Sequence, residues 1–145
     1  MKRKLSSFLT LILTFLLSLC CLVSCKDEET SDGLKASVAL ATDTRVAIAV
    51  ESAGGAKLSE CMQALQEAGK LTYELSGGML TSLNGTANDA DYNPCWMLYI
   101  SDSELANAEW GTLEYDGKTL GSAIVGAEEL PVIDGGIYVW EYQSI

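Results

Sequence analysis

The sequence contains no histidine. Without an imidazole, the Ser–His and Cys–His pairs that activate nucleophiles cannot form. Zinc sites that use histidine ligands are excluded for the same reason. No glycine-rich segment has the spacing of a phosphate loop followed by lysine and serine or threonine. We therefore expect a protein without enzymatic activity.

Basic residues are also scarce. The chain has 9 Lys and Arg against 20 Asp and Glu, a net charge of −11. Three of the basic residues lie in the first four positions, so the chain after this start carries a net charge of −14. Nucleic-acid binding depends on Lys and Arg that neutralise phosphates, so nucleic acid is not an expected partner. Anionic lipid would repel such a surface as well.

A basic start followed by a short apolar run forms the amino-terminal segment. The apolar run, Phe8–Val23, is shorter than the roughly 20 residues that a membrane-spanning helix needs. It ends in Leu22-Val23-Ser24-Cys25, which resembles the bacterial lipobox, in which the cysteine is lipidated before cleavage. The sequence predicts a lipoprotein signal peptide over 1–24 and lipidation of Cys25. The alternative is an ordinary signal peptide that is cut near Ser24.

The segment after Cys25 is polar and acidic. It includes Asp27-Glu28-Glu29 and lacks large apolar residues, a composition typical of a disordered spacer. We interpret 25–35 as a flexible tether. Two or more acyl chains anchor a protein stably to a membrane. The prediction is an extracytoplasmic protein, lipid-anchored at the cell surface or facing the periplasm.

One domain is expected over 36–145, since this length supports a single core. Apolar residues alternate with polar ones from Val38 to Val50, which predicts two strands with a bend near Thr42–Thr44. A helix follows, with Ser59 as its N-cap and Gly69 just beyond its end. Its apolar stripe consists of Leu58, Cys61, Met62 and Leu65.

Short strands separated by turn signals occupy most of the remaining chain. The most apolar segment, Trp96–Ile100, is expected to be a central strand. In the last strand, Tyr138, Trp140 and Tyr142 share one face. The stretch 118–130 fits either a short helix or a loop. We predict an α+β fold in which one main helix packs on a mixed or antiparallel sheet of five to seven strands.

The order of these blocks resembles the transcobalamin-like C-terminal domain family. The similar segments are Met79–Gly85, Trp96–Ile100 and Ile133–Tyr142, and the resemblance covers 36–145. It implies a β-grasp-like α+β module and a non-catalytic binding role, with a cobalamin-like corrinoid as one ligand. In the animal cobalamin carriers of this family, the domain closes over cobalamin held by a larger helical domain, and we expect no such helical domain here. An alternative is a structural module that docks onto a partner protein of a surface assembly.

The aromatic residues are the candidate binding residues. Trp and Tyr side chains form surfaces on which a ring, a sugar or a protein can stack. The alternative is that they pack the core of a small domain, as aromatic residues on strands usually do. The candidates are Trp96, Tyr99, Tyr138, Trp140 and Tyr142, with Trp110 as an additional aromatic residue.

Two further features leave alternatives open. Cys61 and Cys95 form either a disulfide, which is slightly favoured outside the cytosol, or two buried apolar residues. The loop Asn88–Asn93 starts like a calcium loop, but Pro94 stands where an EF-hand needs glycine and Ile100 where it needs glutamate. We therefore expect no metal site in this loop.

Overall fold

A computed structural model of the chain describes residues 33–145. The predicted signal peptide 1–24, the lipidation of Cys25 and most of the tether lie outside the described residues. The described part contains nine strands and one short helix. They are β1 Lys35–Ala41, β2 Arg45–Ser52, α1 Leu58–Glu67, β3 Tyr73–Ser76, β4 Met79–Leu83, β5 Thr86–Ala87, β6 Cys95–Ile100, β7 Ala106–Tyr115, β8 Lys118–Ala123 and β9 Ile137–Gln143.

The strands form two antiparallel sheets. The main sheet has six strands in the order β1-β2-β9-β6-β8-β7, and the small sheet has three in the order β3-β4-β5. The predicted α+β class, with one helix and a main sheet of five to seven strands, agrees with this arrangement. The second sheet is a difference, because its strands do not pair with the main sheet. The expected central strand is confirmed, since β6 lies between β9 and β8.

The helix begins one residue before the predicted N-cap. Its first residue is Leu58, and the Glu60 carboxylate accepts a hydrogen bond of 2.7 Å from the Lys57 backbone N–H. The prediction of Ser59 as N-cap was therefore wrong. The predicted end is confirmed: Gly69 has a φ of +68°, and Lys70 N–H donates to the Leu65 carbonyl, as in a Schellman motif.

Helix α1 and the small sheet cover the first face of the main sheet. The helix buries its predicted apolar stripe in one cluster with Ile48 and Trp140 of the main sheet and Leu83 of the small sheet. Tyr138 is fully buried in this cluster. This cluster is the larger core, and burial of its apolar surface supplies most of the hydrophobic stabilisation.

The β7–β8 hairpin covers the second face. A smaller core holds Val139 together with Leu120 of the hairpin, while Leu113 and Leu40 pack at its margin. Leu40 belongs to β1, at the opposite end of the strand order from β7, yet it packs against the same small core as Leu113 and Leu120. The hairpin therefore folds back across this face. Arg45 and Glu141 form a bidentate ion pair at 2.5 and 2.9 Å. Donation of these hydrogen bonds to the Glu141 carboxylate raises the pKa of Arg45.

Candidate functional site

A cleft opens in the main sheet where β6 and β8 separate. The two strands pair only through Tyr99–Ser122 and Ile100–Gly121 within the described residues. Beyond this point the Ile124 N–H donates to the Leu105 carbonyl at 3.0 Å, so the chain after β8 stays paired with the start of β7 while its pairing with β6 ends. The resulting cleft has a volume of about 450 Å³, within the range of small-ligand sites.

The lining of the cleft is predominantly apolar. One wall is 95–98 of β6, and the other is 122–126. The β3–β4 turn at Gly78 lies across one end, because a side-chain Cβ at Gly126 would lie 2.8 Å from the Gly78 carbonyl oxygen. No Lys, Arg, Asp or Glu occurs among the described residues that line the cleft. A ligand here would be held by apolar contact and by few polar groups.

The indole N–H of Trp140 is the unusual polar group of this cleft. Trp140 is only 5 % exposed, and its Nε1 is buried without a hydrogen-bond partner. Trp96, equally buried, donates from its own Nε1 to the Thr86 carbonyl at 2.9 Å. A buried donor without a partner costs about 1–3 kcal/mol. Trp140 lines the cleft, but its Nε1 is closed off from solvent, so a ligand acceptor would reach this donor only after the indole ring shifts.

Asn88 ties the wall of the cleft to the small sheet. Its Nδ2 donates to the Leu80 carbonyl at 2.7 Å, and its Oδ1 accepts from the Trp96 backbone N–H at 2.9 Å. The amide group of Asn88 is thus fully engaged in the fold. The described residues also contain no group of three or more His, Cys, Asp or Glu that could hold a metal ion.

The two cysteines of the domain are free, buried thiols. The slightly favoured disulfide between Cys61 and Cys95 is therefore not formed in this structure, and the alternative of two buried apolar residues agrees with it. Burial raises the pKa of Cys61 to about 11 and also raises the pKa of Cys95. Both thiols stay protonated at neutral pH, and a thiol is a poor nucleophile compared with its thiolate.

The predicted aromatic set divides between the two faces and the cleft. Trp96 and Trp140 line the cleft. Tyr138 and Tyr142 lie on the same face, where the Tyr138 hydroxyl accepts from the Ile133 N–H at 2.9 Å and the Tyr142 ring is 5.2 Å from that of Trp96. Tyr99 packs in the core of the second face. These residues therefore do not form one exposed surface, and ligand binding by the set stays a prediction.

The sequence did not predict two parts of the cleft: the wall formed by 122–126 and the end closed by the β3–β4 turn. The sequence of 118–130 fits either a helix or a loop. In the structure its first part is strand β8, and residues 122–126 at and beyond the end of β8 line the cleft. Met79 at the β3–β4 turn is another lining residue that carried no signal beyond its position beside a glycine pair. Ile124 in this wall is 43 % exposed, which the sequence pattern does not reveal.

No helix within 33–145 has the length and hydropathy needed to cross a membrane. Comparison of the chain with protein-family models, with curated protein sequences and with solved structures finds no match. The site is therefore interpreted from its own geometry.

Proposed function

We propose that this protein is a non-catalytic binding module that uses the β6–β8 cleft to hold an apolar ligand bearing a hydrogen-bond acceptor. The observation that carries the proposal is the apolar cleft of about 450 Å³ lined by Trp140, whose buried Nε1 has no partner in the free protein. Native proteins seldom leave a buried donor unsatisfied without a reason. A ligand oxygen at this position would remove the cost.

The proposal includes the membrane anchor. The support is the Leu22-Val23-Ser24-Cys25 motif and the acidic tether that precedes β1. A lipid on Cys25 would hold the domain outside the cytoplasm, with the cleft free to meet ligands. Mass spectrometry of the native amino terminus tests this part: a diacylated or triacylated Cys25 is expected, and an unmodified terminus would refute it.

The ligand class follows from the lining of the cleft. The apolar walls and absence of charged lining residues favour an uncharged or amphipathic ligand. A corrinoid enters through the family resemblance alone, as do the β-grasp-like topology and the transcobalamin-like assignment, and these stay predictions. The cleft volume of about 450 Å³ would accept one edge of a large ring, consistent with a domain that supplies part of a site.

The second candidate is a structural module that docks onto a partner protein. The observation in its favour is Trp110, which is 63 % exposed on the edge strand β7. It lies in the segment 108–111, which is unpaired between the Asn107–Ser122 and Thr112–Gly121 pairs. Exposed tryptophans are frequent anchors of protein interfaces.

Tryptophan fluorescence can test the cleft directly. The chain has three tryptophans, so Trp110→Phe leaves only Trp96 and Trp140, both of which line the cleft. The full chain in lipid nanodiscs would be titrated with cobinamide and with 4-nitrobenzamide, a soluble quencher that carries a carbonyl acceptor. Saturable quenching by either probe is expected, and quenching by neither would refute the proposed site.

A matched pair of variants locates the binding. Ile124 lines the cleft and is 43 % exposed, whereas Ile133 is 41 % exposed and lies outside the cleft. In the Trp110→Phe background, Ile124→Phe should narrow the cleft and weaken probe binding about tenfold, a loss of about 1.4 kcal/mol. Ile133→Phe should leave binding unchanged. Equal effects of the two changes would place the probe elsewhere.

A further inference from the structure

One wall of the cleft carries two sulfur atoms that lie against each other. Cys95 and Met97 both line the cleft, and the Cys95 Sγ donates a hydrogen bond to the Met97 Sδ at 3.8 Å. We propose that these two side chains form a binding site for a monovalent soft metal ion, Cu(I). The inference goes beyond the proposed function, because it depends on the two sulfur atoms and not on the Trp140 N–H.

The first step is the position of the two sulfur atoms on the sheet. Cys95 and Met97 lie two positions apart on β6, and side chains at this spacing point to the same face of a strand. Met97 packs against the smaller core beside Tyr99, whereas Trp96 and Leu98, at the alternate positions, belong to the larger core. A regular strand therefore presents both donors together.

The second step is the separation of the sulfur atoms. Two metal–sulfur bonds of about 2.3 Å that meet at about 110° span the observed 3.8 Å. In the free protein the Cys95 thiol already donates to the Met97 sulfur. An ion that replaces the thiol hydrogen would bond to the thiolate and to the same thioether. Binding would thus require only small movements of the two side chains.

The third step is the chemistry of the donors. Thiolate and thioether sulfur are soft ligands that select Cu(I), whereas Mg²⁺ and Ca²⁺ take oxygen ligands. No Asp or Glu lines the cleft within the described residues, and the chain has no histidine. On binding, the Cys95 thiol releases its proton to water and the thiolate forms the sulfur–copper bond. The copper stays Cu(I), and no electron is transferred.

The fourth step is the charge of the complex. A thiolate carries one negative charge, which cancels the positive charge of Cu(I). A divalent ion on the same thiolate would leave an uncompensated positive charge, which an apolar environment disfavours. Within 33–145 the residues that line the cleft include no Lys, Arg, Asp or Glu. The uncharged lining therefore favours a monovalent ion over a divalent one.

The fifth step is access to the thiol. The domain has two cysteines, and both are free. Cys61 is 0 % exposed and lies in the larger core, away from the cleft. Cys95 is 6 % exposed and lines the cleft, so an ion that enters the cleft can reach its sulfur. This difference makes Cys61 the matched control for Cys95.

Competition with the chromogenic chelator bicinchoninate tests the site. The untagged full chain in lipid nanodiscs would be added to the Cu(I)–bicinchoninate complex without oxygen, and loss of the visible absorbance would report transfer of Cu(I) to the protein. Cys95→Ala should weaken binding at least about a hundredfold, because the thiolate bond is lost. Cys61→Ala should leave the affinity unchanged. Equal affinities of these two variants would overturn the proposal.

The thioether has its own pair of variants, Met97→Leu and Met62→Leu. Leucine conserves most of the volume of methionine, so both variants should fold. Met62 lies in the larger core and does not line the cleft. Met97→Leu should weaken Cu(I) binding about tenfold, and Met62→Leu should not weaken it. Equal affinities of the two would remove Met97 from the site and overturn the proposed pair.

X-ray absorption at the copper edge reports the bound atoms directly. The parent chain should show two sulfur neighbours at about 2.3 Å, and Met97→Leu should show one fewer. A parent spectrum with nitrogen or oxygen neighbours only would overturn the site. Quenching by 4-nitrobenzamide is measured without copper, so failure of the copper site and failure of the apolar site are distinguishable.

Discussion

The two halves of strand β6 lie in the same sheet but have different neighbours. Tyr99 and Ile100 are flanked by β9 on one side and by β8 on the other. From Cys95 to Leu98 the strand pairs with β9 alone, and the cleft occupies the other side. The closed half is built for stability, since both edges are hydrogen-bonded. The open half has the apolar cleft in place of a second strand partner, and Asn88 satisfies its Trp96 N–H.

The separation has a local cause that the closed half lacks. The Ile124 N–H is used by the Leu105 carbonyl, and Gly126 fits against the Gly78 carbonyl. The first contact continues the pairing of β8 with β7, and the second holds the chain after β8 against the β3–β4 turn. The open half is thus maintained by contacts that β6 does not make. Single substitutions in the open and the closed half of β6, compared by their free energies of unfolding, will test whether the two halves differ in this way.

The largest difference is expected from truncation of buried side chains in the two halves. Ile100, in the closed half, is 1 % exposed, and Leu98 lines the cleft. Ile100→Ala should lower the free energy of unfolding by about 4 kcal/mol, and Leu98→Ala by about 2 kcal/mol, because a site beside an existing cleft loses fewer contacts. Urea denaturation measures both. A larger cost at Leu98 would mean that the cleft closes in solution.

A smaller loss is expected where the open half is tied to the small sheet. Asn88→Ala removes the hydrogen bonds to the Leu80 carbonyl and the Trp96 N–H. A buried N–H without a partner costs about 1–3 kcal/mol, so we expect a loss of about 2 kcal/mol. Asn107→Ala is the control, because it removes one local hydrogen bond to the Glu109 N–H. Equal losses would show that Asn88 does not secure this wall.

Sequence periodicity predicted the regular strands and the helix better than it predicted the cleft. The strands β1 and β2, the helix stripe, the central β6 and the aromatic face of β9 all follow from local pattern. The helix start was misplaced because Glu60 caps the chain from inside the helix, which the Ser59 signal concealed. Such patterns are strong because each repeats over several residues.

The cleft could not be predicted from these patterns. It depends on where the chain after β8 goes, and there Gly126 packs closely against the Gly78 carbonyl of a turn that lies far away in the sequence. It also depends on which of two buried tryptophans finds a carbonyl. Both are outcomes of tertiary packing between segments distant in the sequence. The binding role of the aromatic set and the lipid on Cys25 stay predictions.

The stability of the larger core should also depend on alkaline pH, because Cys61 is buried in it. Burial raises its pKa to about 11 from an ordinary value of 9.0. Between these values the unfolded chain releases a proton that the folded chain retains, so the free energy of unfolding falls as pH rises. Cys61 should contribute a loss of about 1–2 kcal/mol between pH 8 and 10.5.

Denaturation of the parent chain and of Cys61→Ala at both pH values isolates this contribution. The substitution lowers stability at every pH because it empties part of the core. The free energy of unfolding of Cys61→Ala should nevertheless fall less with rising pH than that of the parent chain. Cys95→Ala, at the margin of the cleft, is the comparison for a less enclosed thiol. Parallel pH curves for the parent and Cys61→Ala would contradict the predicted shift.

The finest comparison is between the two tryptophans, which are equally buried. Trp96→Phe breaks a 2.9 Å hydrogen bond to the Thr86 carbonyl, whereas Trp140→Phe removes a donor that has no partner. The loss of ring volume is the same, so Trp140→Phe should cost about 1–2 kcal/mol less in free energy of unfolding. Circular dichroism follows the unfolding without depending on the altered fluorophore.

The same pair links stability to binding. If Trp140→Phe is the milder change for folding, it should nevertheless be the more harmful one for binding of 4-nitrobenzamide, because the donor it removes is the one left for a ligand acceptor. Equal costs of the two substitutions would mean that the Trp140 N–H already has a partner in the free protein. In that case the apolar cleft beside β6 would remain, but the reason to expect a hydrogen-bond acceptor on the ligand would be lost.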